Sequence, residues 1–389
     1  LKHNASSRQD LLARYDEYLT SVSGNRDTWQ RLVFDDYLLS ESTYFQQIFI
    51  NTVAQSIYKE NLLKHISHAD YLKLLMGLDD ISHLRPYRAI WDLSRKRTVT
   101  SKDIDSFLET YGYHSDKEID VTYPHFTEDP SAIRRLIADT SKLGDEYNPS
   151  KEVEGQKRVY QNTHALLPNK LHMTVNRMRS LLWWREEFRD VSTRFYYLIR
   201  LYTIALAKDL VQNGELQEVD DIWFLKITDV KSYLDGTLSR ADIHNLIAKN
   251  KTYYDSFRHF TPRNEIGHAF DRSAIKPSRT NTNQAQGIGC STGSITGVAR
   301  VIEDISAIDQ IQPGEILVTK FTDTGWTSKF AILGGVVTEY GGILCHAAIV
   351  SREYGIPCVV CATDIMKRVK NGQTITIDGE TGKIHIGRS

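Results

Sequence analysis

The chain has no apolar run near the roughly 20 residues needed to cross a bilayer; its longest, FAILGGVV from Phe330, is far shorter. The polar start LKHNASSRQD holds no hydrophobic core of a secretory signal. These two absences exclude a membrane reading and point to a soluble, cytoplasmic protein, in which the sequon Asn4-Ala5-Ser6 carries no glycan. Nor is there an excess of one charge. Lys plus Arg is 48 against 49 for Asp plus Glu, a formal charge of -1, so no overall field draws the chain to nucleic acid or to an anionic membrane. Cysteine is scarce, and all four, Cys290, Cys345, Cys358 and Cys361, fall in the last quarter. Cys358-Val-Val-Cys361 has metal-site spacing, but it follows a proline inside an apolar run that reads as a strand, where positions i and i+3 face opposite sides. The four read as buried small hydrophobes, and no metal site is expected. His65 and His68 have a spacing that places two ligands on one helical face, but no third ligand lies nearby in the sequence, so they read as solvated histidines.

What is present is a 389-residue chain with 41% hydrophobic content, enough for a sizeable core and for two or three domains. From about Ser7 to Gly214 the apolar residues recur with helical period. In LLWWREEFRDVSTRFYYLIRLYTIALAKDLVQNG, Trp184, Phe188, Val191, Phe195 and Leu198 step by four and three, and Gly214 stands where a helix should stop. Residues 261–286 are polar, aperiodic and contain two prolines, and they read as a linker. Beyond them come short β-type runs at Val298, Glu315, Gly334, Cys358, Thr374 and Lys383, with one helix from His346 to Tyr354 ended by Gly355 and Pro357. Gly287-x-Gly289-x-x-x-Gly293 has the wrong spacing for a dinucleotide fingerprint, and a hairpin is expected after it. The expected class is therefore α+β and multidomain, with a mainly helical domain over 1–260, a linker over 261–286 and a small β/β/α domain over 287–389.

The stretch TEYGGILCHAAIVSREYGIPC sets His346 between a glycine pair and the first turn of the expected helix. A histidine there lies close to unpaired backbone N–H groups, which suits an imidazole that comes to carry an anion; an isolated histidine at such a junction also serves as a cap or core residue. On the long helix Arg185 and Arg189 lie one turn apart, either neutralised by Glu186, Glu187 and Asp190 on a solvated face or placed for an anion. His114, Glu118 and Asp120 in YHSDKEID are candidates for general base or acceptor ligands, and equally for a polar loop with a helix cap. His125 is a weaker one.

Three motifs carry a resemblance. GIGCSTGSITGVARV, ILVTKFTDTGWT and TEYGGILCHAAIVSREYGIPCVV resemble, in that order, the entry strands, the loop near the active histidine and the phosphohistidine signature of the swivelling domain of the phosphoenolpyruvate-utilizing enzymes. YGYHSDKEIDVTYPHFTEDP, REEFR and DDIWFL resemble the central domain of the rifampin phosphotransferase and glutamine kinase type within that family. The resemblance implies a dikinase-type phosphotransferase in which His346 carries a phosphoryl group from ATP, with AMP and phosphate as products, to a small-molecule acceptor such as an antibiotic or an amino-acid amide. It implies that Gly341 and Gly342 admit the phosphoryl group, that Arg185 and Arg189 meet it at the acceptor site, and that His114, Glu118 and Asp120 contact the acceptor. ATP and Mg²⁺ would be held by an ATP-grasp domain, which no segment here resembles and which is expected upstream in cis or as a separate partner. In the family's dikinase a barrel follows the swivelling domain, whereas three residues follow KIHI here. Cys345 stands where relatives commonly have threonine. The alternative reading is a phosphocarrier or regulatory protein that passes phosphate from His346 to a partner protein.

Overall fold

The structure, a computed structural model, describes residues 2–78, 80–115, 117–257, 260 and 283–387. Its helices in chain order are α1 (Lys2–Leu19), α2 (Arg26–Arg31), α3 (Tyr37–Leu63), α4 (His68–Leu74), α5 (Arg85–Ser94), α6 (Ser101–Tyr111), α7 (Pro130–Ser141), α8 (Pro149–Ala165), α9 (Asn169–Gln212), α10 (Ile227–Leu234), α11 (Arg240–Ser256), α12 (Thr327–Phe330), α13 (His346–Glu353) and α14 (Ile365–Arg368). The strands are β1 (Gln284–Gln286), β2 (Ile288–Ser291), β3 (Ser294–Val301), β4 (Ile316–Thr319), β5 (Gly335–Thr338), β6 (Cys358–Val360), β7 (Thr374–Asp378) and β8 (Lys383–Ile386). The class is α+β, with helices first and a sheet at the C-terminal end.

Local sequence accounts for the helix starts. Thr100 and Asp103 form a capping box at α6, while Asp129 and Asn148 cap α7 and α8, each of which opens on a proline whose missing N–H costs nothing there. In α9 the expected stripe is buried: Phe188, Val191, Phe195 and Leu198 are at most 1% exposed.

Backbone proximity divides the chain into two compact units, Leu1–Phe45, Glu118–Pro124 and Phe188–Asp271 in the first, Gln46–Lys117, His125–Glu187 and Arg272–Ser389 in the second. This division does not run along residues 260 and 287, because the helices of 46–117 and 125–187 group with the sheet. Of the expected linker, residues 284–286 form β1, paired antiparallel with β8, and 261–282 lie outside the described residues. In the first unit Tyr202 donates to the carbonyls of Tyr18 (2.9 Å) and Ser21 (3.0 Å), and the Trp29 indole donates to Thr203 (2.9 Å), so its aromatic core keeps its polar atoms satisfied.

In the second unit one eight-stranded sheet has the order β1-β8-β7-β3-β4-β5-β6-β2. β3, β4, β5 and β6 run parallel, with Ile316 opposite Gly335 and Val337 opposite Val359. Parallel strands are covered on both faces, which is why ILVT, GVVT and CVV read as unbroken apolar runs. Alternation sorts them: Ile316, Val318, Val337 and Val359 join one cluster with Ile375, Ile377 and Ile384. Leu317, Val336, Cys358 and Val360 face the other way, into a cluster that contains Ala347, Ala348 and Val350 of α13 and also Leu72, Tyr87, Val153 and Leu182 from the helices of the same unit. The hairpin expected after Gly287 does not form. β2 pairs with β6 and β3 with β7 and β4, so β2 and β3, though consecutive in the chain, lie far apart in the sheet order, because β2 serves to cover the exposed edge of β6.

Candidate functional site

β5 leads through residues 339–345 to His346, the first residue of α13. Gly341 has φ +136°, and a Cβ there would lie 2.9 Å from Cys345 Sγ, so this turn demands glycine. Around Gly342 a Cβ would meet nothing within 4 Å, and that side of the loop is open. Cys345 is the N-cap residue and makes no side-chain hydrogen bond to the first turn, where a threonine would normally cap it. The N-terminal end of α13 is therefore not closed by its own cap side chain, and its dipole favours an anion.

The His346 ring is half-buried and lies between two hydroxyls. Thr322 Oγ1 is 2.9 Å from Nδ1 and Thr327 Oγ1 is 3.1 Å from Nε2, and the Phe330 ring meets the imidazole edge-on at 5.7 Å between centroids. A neutral imidazole has one N–H and one lone pair, so one threonine accepts while the other donates. Hydroxyls rotate, and a nitrogen held by one is released by a single torsion. On the other side of the loop the buried guanidinium of Arg352 donates to the carbonyls of Ile343 (2.9 Å) and Cys290 (3.1 Å), fixing the segment that carries His346. Thr322, Thr327 and Arg352 were not among the residues singled out from the sequence. Their signal was present in ILVTKFTDTGWT and REYG, but a threonine in a loop carries no periodicity, and which ring atom it reaches is set by packing.

The helical candidates are placed as follows. In the first unit the buried carboxylate of Glu118 lies 3.7 Å from Arg189 and accepts from Thr193 (3.3 Å), and Arg194 donates to Asp190 at 3.0 Å. Asp120 accepts from the backbone N–H (3.0 Å) and hydroxyl (2.6 Å) of Thr122 and so organises its own turn. In the second unit Arg185 pairs with Glu186 (2.9 Å), and Arg85 with Glu187 (2.8 Å). Glu186, Glu187 and Asp190 are 5%, 0% and 7% exposed, so the solvated face considered for this stretch does not exist. Four-residue spacing cannot distinguish an exposed acid from a buried, paired one. His114 has its ring 4.2 Å from that of Tyr113, its carbonyl accepts from Phe126, and His125 is 1% exposed, with Glu128 3.7 Å from its Nδ1.

The four cysteines are free thiols that meet in one hydrophobic cluster. Cys290 and Cys358 are buried, and burial pushes the Cys290 thiol up to about 12 and that of Cys358 well above its usual range. Cys345 and Cys361 are only half-buried, contrary to the expectation of four core residues, because the strand ends at Val360 and Cys361 turns to φ +56°. Among the described residues no three His, Cys, Asp or Glu side chains gather to hold a metal ion, and no helix is long and apolar enough to cross a membrane.

Residues 311–382, which hold the whole His346 loop and both threonines, match the PEP-utilising enzyme mobile domain, and residues 94–191 match the rifampicin phosphotransferase fourth domain. The chain thus carries one segment like the mobile domain of the PEP-utilising enzymes and one like the fourth domain of rifampicin phosphotransferase. It is similar to the rifampicin phosphotransferase of Bacillus cereus, 31% identical over 73% of this chain and 34% of that protein, and to that of Streptomyces sviceus, 28% identical over 82% and 38%. An uncharacterized phosphotransferase of Bacillus subtilis, YvkC, is 27% identical over 73% of this chain and 36% of its own length. The chain thus spans a little over a third of the length of these relatives. The mobile-domain match contains His346, Gly341 and Gly342, and the fourth-domain match contains His114, Glu118, Asp120, Arg185 and Arg189.

Proposed function

We propose that the chain is the acceptor-binding and phosphohistidine part of a phosphotransferase, in which His346 takes a phosphoryl group and passes it to a small molecule held by the helical region of residues 1–260. The observation that carries this reading is the half-buried imidazole between two hydroxyls at a helix N-terminus that its own cap side chain leaves open, inside a mobile-domain match. ATP with Mg²⁺, bound by an ATP-grasp domain upstream or in a partner, supplies the phosphoryl group and leaves as AMP and phosphate. In the first half-reaction the ring nitrogen bearing the lone pair forms a bond to the β-phosphorus as the α–β P–O bond breaks and AMP leaves, and water then cleaves the β–γ P–O bond to release phosphate, which leaves the β-phosphoryl group on the histidine. The threonine at the other nitrogen holds the N–H and so keeps the reactive lone pair on the correct side of the ring. First-turn N–H groups and the dipole of α13 then face the phosphoryl oxygens, a favourable arrangement of roughly 0.3–1 kcal/mol for an exposed anion and more when partly buried.

In the second half-reaction an acceptor oxygen forms the new P–O bond as N–P breaks. Arg185 and Arg189 stabilise the charge in transit, and His114, Glu118 and Asp120 orient the acceptor and take its proton. Since both guanidiniums already face carboxylates, the incoming phosphoryl group exchanges one anionic partner for another rather than meeting bare cations. The histidine domain travels between the sites of the two half-reactions. Acceptors of antibiotic size and smaller amides both fit this scheme.

The test uses the chain with ATP and an ATP-grasp protein, or the longer polypeptide that contains both. Acid-labile phosphate on His346 and release of AMP are the expected results. Arg185→Gln with Arg189→Gln should abolish transfer to any acceptor in a small-molecule panel while the histidine still becomes phosphorylated. Loss of the histidine step would contradict the roles given to the arginines, and transfer only to a protein would favour the phosphocarrier.

A further inference from the structure

The C-terminal end of α13 holds a buried acid that the phosphotransfer reading does not use. Glu353 is 1% exposed, and its carboxyl accepts the backbone N–H of Leu78 at 3.1 Å. Leu78 follows the turn at Gly77, whose φ is +61°. Arg179 of α9 grips that same turn from the other side, donating to the carbonyls of Leu74 (2.9 Å), Met76 (2.6 Å) and Gly77 (2.7 Å). The turn is thus held between a guanidinium of the helical part and a carboxyl of the sheet part. A small cavity lined by Leu75, Leu182, Glu186, Ile349, Arg352 and Glu353 lies at the same junction. Glu186 is the partner of Arg185, so this junction reaches one of the proposed acceptor-side cations.

The junction is incompletely satisfied. Tyr354 and Tyr87 stack edge to face at 5.7 Å, both are buried, and among the described residues neither hydroxyl has a hydrogen-bond partner. Gln156 Oε1 of α8 is likewise buried without one. Buried polar atoms of this kind favour opening, since water satisfies them once the surfaces part. An interface meant to stay closed would normally pair them.

We infer that Glu353 is a proton-operated latch, which holds the histidine domain on the α4–α5 turn when protonated and releases it when ionised. The inference rests on the reading of that domain as one that moves. Burial raises the carboxyl to about 7, opposed by the charges of Arg179, Arg352 and Arg88 and by the Leu78 N–H. The groups facing it are Arg352 and Tyr354 on its own helix or next to it, Arg179 and Glu186 from α9, and Tyr87 and Arg88 from α5. From α8, Glu152, also raised by burial, faces Gly355 beside it. Because the docked carboxyl binds its proton more tightly than an exposed one, docking is strongest below the ordinary glutamate value of 4.5 and is lost as pH rises through about 7. At pH 5.5 the docked carboxyl keeps its proton while a released one has mostly lost it, and at pH 8.0 both are ionised. The docking equilibrium is therefore about 25-fold weaker at the higher pH.

The experiment is amide hydrogen exchange on the full chain, reading peptides that contain Leu78 and correcting for the intrinsic pH dependence of exchange. In the unmodified chain, protection at the turn should fall about 25-fold between pH 5.5 and 8.0. Glu353→Gln, which still accepts the N–H but cannot ionise, should keep the turn protected at both pH values; Glu152→Gln should leave the fall intact. Tyr87→Phe removes an unsatisfied hydroxyl and should raise protection equally at both, and it also keeps the test usable if the Glu353 variant folds poorly. A pH-independent turn in the unmodified chain, a fall that survives Glu353→Gln, or a fall abolished by Glu152→Gln would each overturn the latch. Phosphate on His346 is measured separately, so its absence would count against the transferase reading alone.

Discussion

At its N-terminal end α13 offers a half-buried imidazole whose two nitrogens lie within hydrogen-bond distance of two hydroxyls; at its C-terminal end, two turns away, it buries a carboxyl against a backbone N–H with guanidiniums around it. The first end meets hydroxyls that rotate, and the second is held by burial, by the Arg352 fork and by the Leu78 N–H. A helix of eight residues can expose a reactive residue at one end only because the other end and its flanks are anchored, here through Arg352, Glu353 and a shared hydrophobic cluster. The proposed reactive group and the anchor are residues seven positions apart.

Substitutions that confuse the two ends test this division. The largest effect is expected from His346→Gln, which should remove all acid-labile phosphate and leave the thermal midpoint within about 2 °C, since the ring is half-buried and a glutamine amide still offers the two hydroxyls a donor and an acceptor; a large drop in melting would make the open end structural after all. Next is Arg352→Ala, which strands two buried carbonyls and should cost about 3 kcal/mol in urea unfolding, with Arg352→Lys recovering less than half because an ammonium does not span both acceptors. Full recovery by lysine would mean that charge alone, and not the fork, anchors the loop.

Smaller changes sharpen the open end. Thr322→Val and Thr327→Val should each slow histidine phosphorylation about tenfold, the worth of about 1.4 kcal/mol, by freeing the ring to change tautomer. Ring-nitrogen NMR shifts would show a single tautomer in the unmodified chain and a mixture in either variant; an unchanged tautomer would remove the threonines from the scheme. Gly341→Ala should cost about 1–2 kcal/mol through its positive φ and its contact with Cys345, while Gly342→Ala should fall within about 0.5 kcal/mol. Equal costs would mean that the loop adapts, and that the glycine pair is not conformationally required.

Much of the second unit could be read before any coordinates. The unbroken apolar runs at Ile316, Gly335 and Cys358, the helix from His346 and its stop at Gly355 all lie where periodicity and glycine placed them, because strand burial and helix capping act over a few residues. β1 falls inside the expected linker and β2 was legible only through a resemblance, since each is only three or four residues long and its strand character comes from partners about 70–100 residues away. The helical candidates divide similarly. Arg189 and Glu118 were each singled out, but their pairing across 71 positions was not, and neither was the burial of Glu186 and Glu187.

The order of residues by itself determined the glycine turn before His346 and the helix that His346 opens, since each is written in a contiguous stretch whose backbone preferences are local. Only the tertiary structure decided which hydroxyls meet the two ring nitrogens, which helices share a core with the sheet, and that Glu353 is shut away from water. Those facts depend on contacts between segments far apart in the chain, and burial, unlike backbone preference, is a property that no short segment possesses on its own.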